Sequence, residues 1–192
     1  MILDSALERE YQLMWDEARV SVSKLGVVMD AVRHLEESRD RYARVAEVFQ
    51  MPWQVVAAIH SLEASGRFDR HLHNGDPLSA RTRRVPAGRP LHGSPPFTWE
   101  ESAQDALAMK KPGEAGPWTV PRTLWFLERY NGLGYRKHHP SVKSPYLWSF
   151  TNWYRCGKYV ADGRWSSAAI SSQVGCVPIL KGLGFMGEEH HG

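Results

Sequence analysis

Between Gly66 and Pro96 the chain drops the 3.6-residue hydrophobic period that governs the residues on both sides of it. Five prolines fall in this stretch, among glycines, histidines and arginines. A proline inside a helix removes a hydrogen bond and clashes with the preceding turn, so neither a long helix nor a central strand can cross the segment. Any fold available to this chain must carry a long irregular excursion between two helical portions. Loops of that length inside a compact domain are uncommon, and an ordered one is usually functional. Phe68, Leu72, Leu78 and Val85 are spread along it, which predicts a packed loop with a short hairpin around Arg81 to Arg89.

The flanking sequence reads as helices. Residues 4 to 22 place Leu7, Tyr11, Met14 and Trp15 on one stripe, with Asp4 or Ser5 as the cap. Residues 27 to 49 predict one or two more helices ending near Met51 and Pro52. Pro52 suits the first turn of the next helix, which buries Val55, Ile59 and Leu62. Beyond the excursion, a helix from Thr98 or Trp99 through Met109 is expected to turn Ala103, Ala106 and Leu107 inward and Glu101, Ser102 and Asp105 outward. Another runs from Val120 to Tyr130, with Pro121 in its first turn and a stop at Asn131-Gly132. Residues 133 to 165 read as aromatic loops with one helix around Leu147 to Tyr154. A last helix is expected over 166 to 181, with Ser166 as N-cap and Ala169, Ile170, Val174 and Val177 facing the core. The fold class is mostly α. Residues 1–50 are N-terminal helices packed on a main domain, 51–182, as a single compact unit, and 183–192 form a frayed tail.

Composition narrows the function classes. No window approaches the run of about 18 apolar residues that spans a bilayer, and the charged start MILDSALEREYQLMWDEARV is unlike a signal peptide. The chain is therefore expected to be made in the cytoplasm, a monomer without stable membrane insertion. A net charge of +3 does not mark a nucleic-acid binder, so the four arginines of RTRRVPAGR read first as a solvated surface. Cys156 and Cys176 lack zinc-site spacing and are expected to be buried thiols. Six of the eight tryptophans crowd with other aromatics between residues 97 and 165. Such rings fill cores, and can also stack on sugars.

Chemistry concentrates in AAIHSLEASGRFDRHLHNGDPL, residues 57 to 78. Glu63 stands on the edge of an apolar stripe near a helix C-terminus, where the macrodipole and partial burial both disfavour its charge. That is the direction a general acid needs. Paired with Asp69 or Asp76 it supplies the two carboxylates of glycosidic cleavage. The same stretch permits a metal reading through His60, Glu63, His71, His73 and Asp76. Its spacing is not that of HExxH, and histidines in polar loops more often hydrogen-bond locally. In RYNGLGY, Tyr130 and Asn131 lie at a helix stop beside glycines that permit close ligand approach. No GxSxG elbow and no phosphate loop occurs, and neither a metal nor a cofactor is expected.

The segments AAIHSLEASGRF and RYNGLGY resemble the lysozyme superfamily, in particular goose-type lysozymes and soluble lytic transglycosylases. HLHNGDPLSARTRRVPAGRP, PPFTWEESAQDAL, LERYNGLGY and SPYLWSFTNWYRCGKYVADGRW resemble more closely a group of phage and bacterial proteins labelled lysozyme family protein. That likeness covers nearly all of residues 50 to 180. It implies a lysozyme-like helical fold and muramidase activity on peptidoglycan glycan strands, between N-acetylmuramic acid and N-acetylglucosamine. Glu63 would be the acid, and Asp76, about a dozen positions later, its partner on the opposite face of the sugar, giving inversion. Tyr130 and Asn131 would hold the sugar, Arg81 would cover it or meet peptide carboxylates, and Asn74 and Tyr146 complete the binding set. Transglycosylases usually carry Ser after the glutamate. Ala64 stands there in this chain, which favours hydrolysis; the alternatives are a lytic transglycosylase and a non-catalytic glycan-binding module in which Glu63 is a vestige. The setting implied is a phage endolysin released through a separate membrane pore, or a secreted antibacterial toxin.

Overall fold

The computed structural model describes residues 2–114, 116–161 and 163–187, with the side chain of Glu114 left out. The chain forms two compact units: a continuous one, Arg33–Gly116, and a discontinuous one built from Met1–Val32 and Pro117–Gly192. Nine α-helices and one two-stranded sheet lie among the described residues, so the expected mostly-α class holds. No helix is long and apolar enough to cross a membrane among the described residues.

In the discontinuous unit, α1 (Ser5–Glu17) starts where Asp4 accepts the N–H groups of Ala6 and Leu7. It packs on α6 (Val120–Asn131) and buries Tyr11, Met14 and Trp15, three members of the stripe read from sequence. The helix stops at Glu17, short of residue 22, because the chain turns extended and Val20 bridges Thr151. Thr119 caps α6, with Pro121 in its first turn. Two short helices follow, α7 (Gly134–His138) and α8 (Pro145–Trp148), then the hairpin β1 (Lys158–Ala161) and β2 (Arg164–Ser166).

Several local expectations for this unit need correction. The helix placed around Leu147 to Tyr154 lies earlier and is a single turn, with Pro145 at its start. The last helix, α9, spans only Cys176–Gly182. Ser166 ends β2 and Ile170 is 67% exposed. Cys176 is buried, whereas Cys156 is exposed. Order continues past residue 182: Leu183 and Phe185 are buried, with the Phe185 ring edge-on to Trp15 at 6.0 Å. Residues 188–192 of the expected tail lie outside the described residues.

The boundary at Arg33 falls inside α2 (Leu25–Glu36). In the continuous unit, α3 (Arg39–Val48) packs on α4 (Trp53–Ala64) and α5 (Trp99–Ala108). Thr98 and Glu101 form a reciprocal capping box at the start of α5. The core is aromatic: His60 and Trp99 rings lie 4.7 Å apart, with Phe68 and Tyr42 against both. The Arg41 guanidinium covers Phe68 at 3.9 Å and makes a two-pronged contact with Glu100. Residues 65–98 are irregular, as the prolines require, and bury Leu72 and Leu78. Val85, expected inside, is 89% exposed.

Candidate active site at the end of α4

Helix α4 is apolar on every side over Val55 to Ile59, all fully buried, so it is a central helix and not the one-faced helix its sequence suggests. Glu63 is its only acid and its penultimate residue, half-buried where the helix leaves the core. The exit is tight. Ser65 is left-handed at φ 54°, Gly66 follows at φ +68°, and the N–H of each reaches the His60 carbonyl. A side chain at Gly66 would meet the His34 ring at 3.1 Å, so this position needs glycine for both its backbone and its space.

The excursion folds back onto this exit. Asp76 donates its N–H to Asn74 Oδ1 at 3.0 Å, and the Asp76 carbonyl accepts the His71 N–H at 2.7 Å. Between them Gly75, at φ +73°, lies against the helix end: a Cβ there would be 3.4 Å from the Glu63 carbonyl oxygen. The Asn74–Asp76 turn is thereby held beside Glu63. Lys110 lies within electrostatic reach of Glu63. Partial desolvation lowers the Lys110 pKa, and the Glu63 charge acts in the opposite direction.

Asp76 is engaged on both oxygens. Oδ2 accepts the backbone N–H groups of Arg83 at 2.8 Å and Arg84 at 3.0 Å, and Oδ1 accepts the Arg84 guanidinium at 2.7 Å. Burial raises its pKa, but the bonds from Arg84 and Arg83 outweigh it and hold the carboxyl down at about 2. Asn74 adds a bond from Nδ2 to the Arg84 carbonyl at 2.9 Å. Asp69 is exposed and binds Arg67 through both oxygens, at 3.1 and 2.7 Å, which lowers its pKa. In place of a hairpin, Thr82 closes residues 82–89 into a ring, donating its N–H to the Arg89 carbonyl at 2.8 Å. Arg81 reaches the Gly93 carbonyl at 2.8 Å and lies over Phe97.

The histidines have structural partners. Buried His60 donates from Nε2 to the Arg67 carbonyl and accepts the Tyr42 hydroxyl at Nδ1. Desolvation lowers its pKa to about 4, so the ring is neutral at pH 7. His71 is bonded to Ser102 Oγ and the Ala80 carbonyl, both at 2.8 Å. His73 bonds Asp105 at 2.8 Å and approaches Ser102 at 3.4 Å. Desolvation lowers its pKa while the Asp105 charge acts oppositely. Ser102, expected outward, is fully buried and anchors the HLH segment to α5. The Ser102–His73–Asp105 order resembles a nucleophile relay, yet a serine with no exposed surface can meet no substrate. No group of three or more His, Cys, Asp or Glu is disposed to hold a metal among the described residues.

The remaining predicted residues belong to the discontinuous unit. Tyr130 is buried on α6, its ring 6.2 Å from Phe126, and Asn131 is exposed as the last residue of the helix before Gly132 at φ 99°. Tyr146 is buried in α8. Most of the crowded tryptophans are core: Trp99, Trp118, Trp125 and Trp148 are all buried. Sequence reasoning missed Glu128. It is buried on α6 with one oxygen bonded by the Tyr11 hydroxyl and by Arg136 Nε at 2.6 Å. Arg136 and Lys143 then share Glu10 at 3.3 and 2.8 Å. The only available signal was a glutamate on the inward stripe of an amphipathic helix.

The sequence matches no protein-family model, no curated protein and no solved structure.

Proposed function

We propose that the protein is a peptidoglycan-cleaving enzyme of the lysozyme type, with Glu63 as the general acid that protonates the glycosidic oxygen. The observation that carries this reading is the placing of one half-buried carboxyl at the solvent end of a helix whose Val55–Ile59 stretch is wholly buried, with an ordered loop packed over the helix exit through Gly75. A carboxyl in that setting is fixed by its helix and still reaches a ligand. The sequence likeness around Glu63 and around Tyr130 and Asn131 supplies the substrate class. Asn131 is exposed at the end of its own helix, with buried Tyr130 behind it.

Asp76 enters as a positioning residue. A carboxylate with a pKa near 2 is a weak base, and both its oxygens hold the loop that flanks Glu63. This favours a second chemistry beside hydrolysis. A lytic transglycosylase uses a hydroxyl of the sugar itself as nucleophile and needs no water-activating carboxylate. Purified cell wall digested with the enzyme separates the two by mass spectrometry, since hydrolysis leaves a reducing end and transglycosylation an anhydro sugar. A Glu63→Gln variant that folds normally and still releases fragments at the wild-type rate would sink both.

A further inference from the structure

The segment from Leu133 to Ser166 holds six lysines and arginines against a single acid, Asp162, and so concentrates more positive charge than the whole chain's net +3. Two of the six are neutralised, Arg136 by Glu128 and Glu10, and Lys143 by Glu10. Lys137, Arg155, Lys158 and Arg164 form no ion pair with a carboxylate among the described residues. Lys137, Arg155 and Arg164 are exposed and Lys158 is half-exposed.

These four cations share one scaffold. His139 stacks flat on Trp165 at 3.5 Å, Tyr159 meets Trp165 at 5.2 Å, and Tyr135 touches both at 5.4 and 5.8 Å. In the hairpin register Tyr159 pairs with Trp165 and Lys158 with Ser166. Successive strand residues point to opposite faces, so with the rings turned onto α7, Lys158 and Arg164 project from the other side. Lys137 is two residues from both Tyr135 and His139. Arg155 is two from Gly157, whose Cβ position lies 3.0 Å from the Trp165 ring. Lys158 and Arg164 thus project from the face opposite the packed rings, neither paired with a carboxylate among the described residues, with exposed Lys137 and Arg155 nearby in the sequence.

We infer that this face of the β1–β2 hairpin is a docking surface for a base-free phosphodiester polymer of the poly(glycerol phosphate) kind. Rows of cations release counterions from a phosphate strand and gain affinity without reading sequence. Nucleic acid fits less well: single-stranded binders present rings for bases to stack on, and here the rings are consumed inside the cluster. A lipid surface fits less well too, because Val160 is the one large apolar side chain exposed on the strands. The inference does not depend on the role of Glu63.

The test is fluorescence anisotropy of labelled poly(glycerol phosphate) with the full-length protein at 50 and 200 mM salt. K158E/R164E is expected to bind at least about tenfold more weakly at 50 mM, with a salt slope lower by about 0.7 per charge removed. The milder K158Q/R164Q, monitored for folding by circular dichroism, should lie between it and wild type. R83Q, which removes an exposed arginine of the other unit, should bind like wild type. Unchanged affinity in the folded K158Q/R164Q protein overturns the proposal, as does an equal loss in R83Q. So does tighter binding of single-stranded DNA of matched charge.

Discussion

Glu63 and Glu128 look alike in the sequence: each is a glutamate near the C-terminal end of a helix that a glycine follows, Gly66 after α4 and Gly132 after α6. Their surroundings are opposite. Glu63 is half-buried on the last turn of a helix with no other acid, beside a loop turn held by backbone bonds. Glu128 lies a turn deeper, 3% exposed, with Tyr11 and Arg136 on the same oxygen. Arg136 also caps the Tyr11 ring at 5.0 Å, and the buried phenol's pKa is raised, chiefly by desolvation and then by the Glu128 charge. A carboxylate locked by an arginine ties helices together. Glu63, at a helix exit, is the carboxyl proposed to act on a ligand.

The sharpest break of that comparison is to make the same substitution at both sites. Glu63→Gln is expected to lower cell-wall lysis about 10²- to 10⁴-fold, the usual weight of a general acid, with the melting temperature unchanged. Glu128→Gln is expected to do the reverse in kind. It leaves Arg136 short of its buried partner, and denaturant unfolding should show a loss of about 3 to 5 kcal/mol. A Glu128→Gln protein of wild-type stability, or a Glu63→Gln protein that melts early, would erase the distinction.

Acid titration probes the continuous unit through His60 and Asp76. The His60 pKa is depressed to about 4, so the unfolded chain binds its proton first. The stability it contributes, about 3 kcal/mol, is complete above about pH 6.5 and is lost as the pH falls toward 4. The Asp76 carboxyl, also depressed, loses its contribution only below about pH 4, as the pH falls through 2. Thermal unfolding followed by tryptophan fluorescence, which samples Trp99 against His60, should show the first loss before the second. His60→Gln should remove the upper step. The smallest effect is expected from Asp76→Asn: about 2 kcal/mol from weakened bonds to Arg83 and Arg84. A partial loss of lysis through disorder of the 71–84 loop should accompany it. Near-complete loss with intact loop protection in hydrogen exchange would instead return Asp76 to a direct chemical role.

Much of the helical layout was legible. The Asp4 cap, the Tyr11–Met14–Trp15 stripe, the Thr98 start and the Pro121 first turn all act locally, through side-chain geometry that a few neighbouring residues define. The aromatic half was not. The single turn of α8, the β1–β2 hairpin and the late start of α9 depend on which rings meet, such as His139 on Trp165, 26 positions apart. Ser102 was misread for the same reason: on its own helix it is merely polar, and its burial follows from the distant histidines of the HLH segment that bond it.

The sequence by itself determined that prolines must break the chain between Gly66 and Pro96, that apolar spacing makes the flanks helical, and that Glu63 ends one of those helices. Those are consequences of φ restriction and periodicity, which act over a few residues. Only the tertiary structure decided which carboxylates are spoken for. Asp76 is held by Arg83 and Arg84 after the loop closes, and Glu128 by Tyr11 from 117 positions away. Burial and charge pairing are properties of the assembled surroundings, and these turn chemically identical side chains into a helix tie, a loop clasp and a candidate acid.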